Sequence, residues 1–134
     1  MEEDGFAEAM QELSFRITQS GLCEVDFYDT NASEYLSMMQ STALFRITQE
    51  LINNTLKYAQ ASQIIIQLTY DNQNELIYTY EDNGQGFDTV QGKNKGYGLK
   101  NIQVRTTLIN GVFTLETIPD KGIFVTIVFP KNHQ

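Results

Sequence analysis

Leu44-Phe45-Arg46-Ile47-Thr48-Gln49-Glu50-Leu51-Ile52-Asn53-Asn54-Thr55-Leu56-Lys57-Tyr58-Ala59 reads as one helix with two unlike faces. At about 100° per residue, Arg46, Glu50, Asn53, Asn54 and Lys57 fall within an arc of roughly 100°. Leu44, Ile47, Leu51, Ile52 and Leu56 lie outside that arc. A solvated helix face usually carries Lys and Glu. This one carries two amides, a carboxylate and cations within a few turns. Glu50, Asn54 and Lys57 follow one another at i, i+4 and i+7, so their tips converge. Amide and carboxylate oxygens suit a hard divalent ion, and a lysine suits phosphate. A wet helix face holding two poor helix formers is the plain alternative.

Working outward, Glu81-Asp82-Asn83-Gly84-Gln85-Gly86-Phe87-Asp88 closes a run, Asn74 to Asp82, that alternates as a strand. Leu76, Tyr78 and Tyr80 share one face, and by parity Asp82 joins them. An inward carboxylate at a strand end needs a partner, or its burial costs several kcal/mol, roughly. Gly84 and Gly86 permit close backbone approach. An Asx-capped turn is the alternative for Asp-Asn-Gly. Further on, Lys93-Asn94-Lys95-Gly96-Tyr97-Gly98-Leu99-Lys100 leads into Leu99, Ile102, Thr106 and Ile109 at helical spacing. The free N–H groups of such a helix start, behind a Gly-rich, Lys-bearing loop, suit phosphate. A surface loop is the alternative here.

In this order the three stretches resemble the ATP-binding domain of the gyrase, heat-shock chaperone, histidine kinase and mismatch-repair ATPase superfamily. Within it the chain is similar to the catalytic domain of bacterial sensor histidine kinases of the nitrate-sensor type. Their helix typically reads Arg-Ile-x-Gln-Glu-x-x-x-Asn-x-x-Lys-His-Ala, and here it is Arg46-Ile47-Thr48-Gln49-Glu50, Asn54 and Lys57-Tyr58-Ala59. The resemblance runs from about Leu13 to Pro130.

The resemblance implies roles. Glu50, Asn54 and Lys57 form the catalytic set, with Asn54 holding Mg²⁺ and Glu50 the second candidate beside the metal. Lys57 meets the phosphates, and Tyr58, in place of the usual His, edges the adenine. Asp82 takes the adenine amino group, while Gly84 and Gly86 admit the ring. Lys93, Lys95, Gly96, Gly98 and the amide of Leu99 surround the phosphates. One departure stands out. The last strand usually opens with Gly-Thr, whose hydroxyl helps a water bridge the aspartate to the base. Here it is Gly122-Ile123. Thr126 is three residues on and so on the other face of a strand. Another hydroxyl must serve, or nucleotide binds more weakly.

The 134 residues suffice for one domain with a real core. No apolar run approaches the roughly 18 residues of a membrane span, and the acidic start, Met-Glu-Glu-Asp, does not read as a signal peptide. The single Cys23 fits a reducing compartment, as a buried thiol. A cytoplasmic location is expected, with the parent protein free to be a membrane-anchored receptor. The net charge of −8, from 17 acids and 9 bases, argues against nucleic acid. Lys57, Lys93, Lys95, Lys100 and Arg105 lie in or beside the three motifs, where ATP would need them.

The chain order predicts a helix over 5–19, a strand over 22–28, and a helix over 33–59 broken near Gln40-Ser41. A hairpin of 62–70 and 74–82, a helix over 99–110 and a hairpin of 112–118 and 123–129 follow. This gives a two-layer α/β (α+β) sandwich: a mixed five-stranded sheet, about three helices on one face, and the ATP site between the helix layer and a lid. Residues 1–12 are expected to be the end of a preceding linker or dimerisation region, 13–130 the ATPase domain and 131–134 a tail. The acceptor histidine is expected on a dimerisation domain outside this chain, since His133 stands in a polar tail. A response regulator is the expected downstream partner. The alternatives are an anti-sigma-factor-type serine kinase and a non-catalytic nucleotide- or protein-binding module of the same fold.

Overall fold

The computed structural model describes residues 5–85, 99–118 and 121–131. Helix α1 (Phe6–Gln19) leads to strand β1 (Glu24–Asp29), a 3₁₀ turn (Ala32–Tyr35) and helix α2 (Met38–Asn54). A π-helical turn (Thr55–Ala59) prolongs α2. Strands β2 (Gln63–Tyr70) and β3 (Glu75–Asp82), helix α3 (Leu99–Leu108), and strands β4 (Val112–Ile118) and β5 (Gly122–Pro130) follow.

The strands make one sheet in the order β1-β2-β3-β5-β4. β1 and β2 are parallel, with Val25 opposite Ile64 and Phe27 opposite Ile66, while every other pair is antiparallel. A parallel pair needs a long crossover, and α2 is that crossover. The sheet's alternation is strict on its inner face. Ile64, Ile66, Leu68, Leu76, Tyr78, Tyr80, Val125, Ile127 and Phe129 are all fully buried there. Leu44, Ile47, Leu51 and Ile52 of α2 cover them, joined by Phe6, Met10 and Leu13 of α1 and Ile102 of α3. The mixed five-stranded sheet with three helices is thus the expected fold. Phe6 and Met10, within the stretch assigned above to a preceding segment, belong to this core.

Local chemistry sets the element ends. The β2–β3 turn is closed by Asp71, whose Oδ1 accepts from Gln73 N at 2.8 Å and Glu75 N at 3.0 Å, with Asn74 at φ +64°. α3 gives way where Asn110 turns left-handed and Gly111 N reaches back to Thr106 O at 2.9 Å. The start of α2 differs from the expected one. The break lies at Leu36-Ser37, not Gln40-Ser41, because Ser37 and Gln40 form a capping box. Ser37 Oγ accepts from Gln40 N at 3.1 Å, and Gln40 Oε1 from Ser37 N at 2.9 Å. Gln40 Nε2 also donates to Pro130 O at 2.9 Å, tying the helix start to the end of β5. Lys131, assigned above to the tail, lies with Nζ over the rings of Tyr35 and Tyr70.

Candidate functional site

The polar arc of α2 divides in three dimensions. Arg46, Asn53 and Lys57 are exposed, Glu50 is half-buried and Asn54 is buried. Glu50 lines an open groove of about 380 Å³ with Arg46, Gln49 and Asn53 of α2 and Asn101 and Arg105 of α3. Asn54 is not part of that groove. It ends the regular helix immediately before the π-helical turn that carries Thr55 and Lys57. Wide turns of this kind recur at functional sites.

Asp82 is the last residue of β3 and, as parity requires, faces inward; it is 6% exposed. Three neutral donors hold its carboxylate. Thr55 Oγ1 donates to Oδ2 at 2.8 Å, Gly84 N donates to Oδ1 at 3.0 Å, and Ile123 N approaches Oδ1 at 3.4 Å. The Asx turn expected as the plain alternative is therefore present, as one part of a larger arrangement. Tyr80 OH sits 2.6 Å from Thr55 Oγ1. The Tyr80 phenol is pushed well up, first by burial and, with the opposite contribution of the Thr55 hydrogen bond, also by the charge of Asp82. Burial likewise pushes the Cys23 thiol up, with Asp82 and Glu24 adding to it, and Cys23 packs in the core.

Two glycines bring the backbone to this carboxylate. A Cβ on Gly122 would lie 2.0 Å from the carbonyl oxygen of Asp82, at φ +102°. A Cβ on Gly84 would lie 2.4 Å from the carbonyl oxygen of Ala59, where Gln85 N also docks at 2.8 Å. Gly84 thus lets the exit of β3 close on the end of α2. Gly122→Ala is expected to destabilise the chain by about 2–6 kcal/mol, from overpacking plus left-handed strain. An unchanged urea midpoint for that variant would show that β5 does not pass so close to Asp82.

Of the residues singled out from sequence, the structure gathers Asp82 and Gly84 beside the end of the helix bearing Asn54 and Lys57. Leu99 is the first residue of α3. Gly86, Lys93, Lys95, Gly96 and Gly98, and the side chain of Tyr58, lie outside the described residues. Sequence reasoning missed Thr55, whose hydroxyl donates to Asp82. It also missed Asn83, whose Oδ1 accepts from both Ser62 N and Gln63 N at 2.9 Å and whose amide donates to Ser62 Oγ at 2.9 Å. Asn83 pins β3 to the start of β2.

The site can do one thing plainly. By lone-pair count, a buried carboxylate with two donors on one oxygen and one on the other can accept one more N–H or O–H and offers no donor to a carbonyl.

Residues 39–133 match the family described as histidine kinase-, DNA gyrase B-, and HSP90-like ATPase. The sensor protein VraS of Staphylococcus haemolyticus (strain JCSC1435) is 35% identical over 91 residues, 68% of this chain and 26% of that protein. VraS of Staphylococcus epidermidis (strain ATCC 12228 / FDA PCI 1200) is 34% identical over the same length. The chain spans about a quarter of these relatives. Among solved structures, the Erythrobacter litoralis EL346 blue-light activated histidine kinase superposes with a TM-score of 0.75 at 17% identity. That match covers 93% of this chain and 41% of the other. Acinetobacter baumannii histidine kinase AdeS gives 0.71 at 18%, covering 96% and 64%; at such identities both speak for the fold alone. The chain belongs to the histidine kinase-, DNA gyrase B- and HSP90-like ATPase family.

Proposed function

We propose that this chain is the ATP-binding catalytic domain of a sensor histidine kinase, of the nitrate-sensor type that its Arg46–Ala59 helix resembles. It transfers the γ-phosphoryl group of ATP to a histidine on a dimerisation segment of the parent protein, from which a response regulator takes it. The observation that carries this reading is the buried Asp82 carboxylate with one acceptor position left, at the end of the helix bearing Asn54.

The adenine amino group matches that acceptor position. Asn54 and Glu50 offer the amide and carboxylate oxygens a hard divalent ion takes, and Mg²⁺ held there would neutralise phosphate charge. Lys57 is exposed on the π-helical turn, and a lysine meets phosphate as a point charge. Phosphoryl transfer asks a protein mostly for positioning and charge neutralisation, and these residues supply both. The imidazole proton goes to a base outside this chain. The domain works in the cytoplasm, where ATP and the response regulator are. Among the described residues no helix is long and apolar enough to cross a membrane.

Calorimetric titration with Mg-ADP and Mg-GDP tests the reading. ADP is expected to bind at least about 10-fold more tightly, the worth of one hydrogen bond to a charged group. Equal affinities would rule out Asp82 as the base-reading group.

A further inference from the structure

We infer that Thr55, oriented by Tyr80, is a specificity-determining positioning residue that aims the free lone pair of Asp82 at the ligand's amino group. The inference rests on the nucleotide-binding reading above and goes beyond it to a residue outside the nucleotide-contacting set.

Proton accounting carries the argument. Thr55, Tyr80 and Asp82 are all buried. Thr55 Oγ1 stands 2.8 Å from Asp82 Oδ2 and 2.6 Å from Tyr80 OH. A carboxylate only accepts, so the single Thr55 proton points to Asp82. Tyr80 must then donate to Thr55. The result is a one-way chain from Tyr80 through Thr55 to Asp82. On the far oxygen, Gly84 N and Ile123 N fill Oδ1. The carboxylate is gripped on both sides, with one open acceptor position on Oδ2. Ile123 brings only its backbone N–H. Among the described residues, Thr55 is thus the side-chain hydroxyl that holds Asp82.

The same helix contains an internal control. Seven residues earlier, Thr48 meets Tyr78 at 2.6 Å, but Thr48 donates to Leu44 O at 2.8 Å within its own helix. That pair fastens α2 to β3 and ends on backbone. Its loss should cost stability and leave base selection alone. The two Thr–Tyr pairs have the same packing and different termini, so they separate a positioning role from a packing role.

The test is calorimetry on the full chain with two probes: Mg-ADP, and the Mg complex of purine riboside 5′-diphosphate, which lacks the amino group. Thr55→Val should weaken ADP by about 5- to 10-fold and leave the deaminated probe within about twofold. Thr55→Ser should bind ADP like the parent, and Thr48→Val should leave both probes unchanged. Thr55→Val binding ADP normally, or losing both probes equally, overturns the inference. Where Thr55→Val shows no cooperative melting, Tyr80→Phe decides by the same criterion: selective loss of ADP supports the role, and equal or no loss overturns it. Asp82→Asn is the separating arm. If it too binds ADP normally, the reading of Asp82 as the base-reading group has failed, and the role of Thr55 with it. If it is impaired while Thr55→Val is not, only the role of Thr55 has.

Discussion

Asp82→Asn is expected to weaken ATP binding by roughly 10- to 100-fold, the loss of a hydrogen bond to a charged group worth about 1.5–3 kcal/mol. The geometry says more than the magnitude. Gly84 N and Ile123 N both point at Oδ1, so an asparagine must place its carbonyl oxygen there. Its amide nitrogen then occupies the Oδ2 position and turns a donor toward the adenine amino group. Two donors face each other, and the open acceptor is gone. A base carrying a carbonyl at the same place gains a partner. Asp82→Asn should therefore narrow or invert the preference for ATP over inosine triphosphate. Calorimetry with both nucleotides reads this directly. Unchanged ATP affinity would remove Asp82 from the site.

Asn54→Ala is expected to abolish phosphoryl transfer, by more than about 100-fold, while adenine binding should change little. The amide ends the regular part of α2 with Glu50 one turn before it, and the chemistry asked of the pair is metal positioning. Metal-free ADP should bind the variant nearly as well as the parent, because Asp82 and Thr55 are untouched. Labelling of the parent protein's dimerisation segment by radiolabelled ATP is the transfer assay. A variant that labels the segment normally at limiting Mg²⁺ would show that Asn54 is only a buried polar residue.

The architecture was largely legible, and the reason is periodicity. The stripe Leu44, Ile47, Leu51 and Ile52 is buried as the helical repeat requires. The inward carboxylate at Asp82 followed from counting by two along β3. Cap chemistry was legible in principle: Ser37-Met38-Met39-Gln40 spells a capping box, yet the expected helix began at Ser33, which lies in the separate 3₁₀ turn before it. Thr48 and Thr55 were not legible. A threonine on a buried helix face looks like an imperfect hydrophobe until its partner is known. The partners are Tyr78 and Tyr80, 30 and 25 residues away, and only the packing of α2 on β3 reveals them. Asn83 hid for a similar reason, since its role lies in the register of β2 against β3.

The direct pairing of β3 with β5 has a thermodynamic consequence. Between Asp82 and Gly122 the chain passes through α3 and the edge strand β4, and the β3–β5 register sets Glu81 opposite Phe124. Asp82 therefore acquires its Ile123 contact across 41 residues and its Thr55 contact across 27. No local fragment can hold these groups together, so the unfolded chain has no affinity for nucleotide. Ligand and fold are then linked by mass action: nucleotide at 100 times its Kd raises the unfolding free energy by about 2.7 kcal/mol. On the proposed function, ATP would act on this domain as a folding ligand as well as a phosphoryl donor, and its melting temperature should rise with added nucleotide.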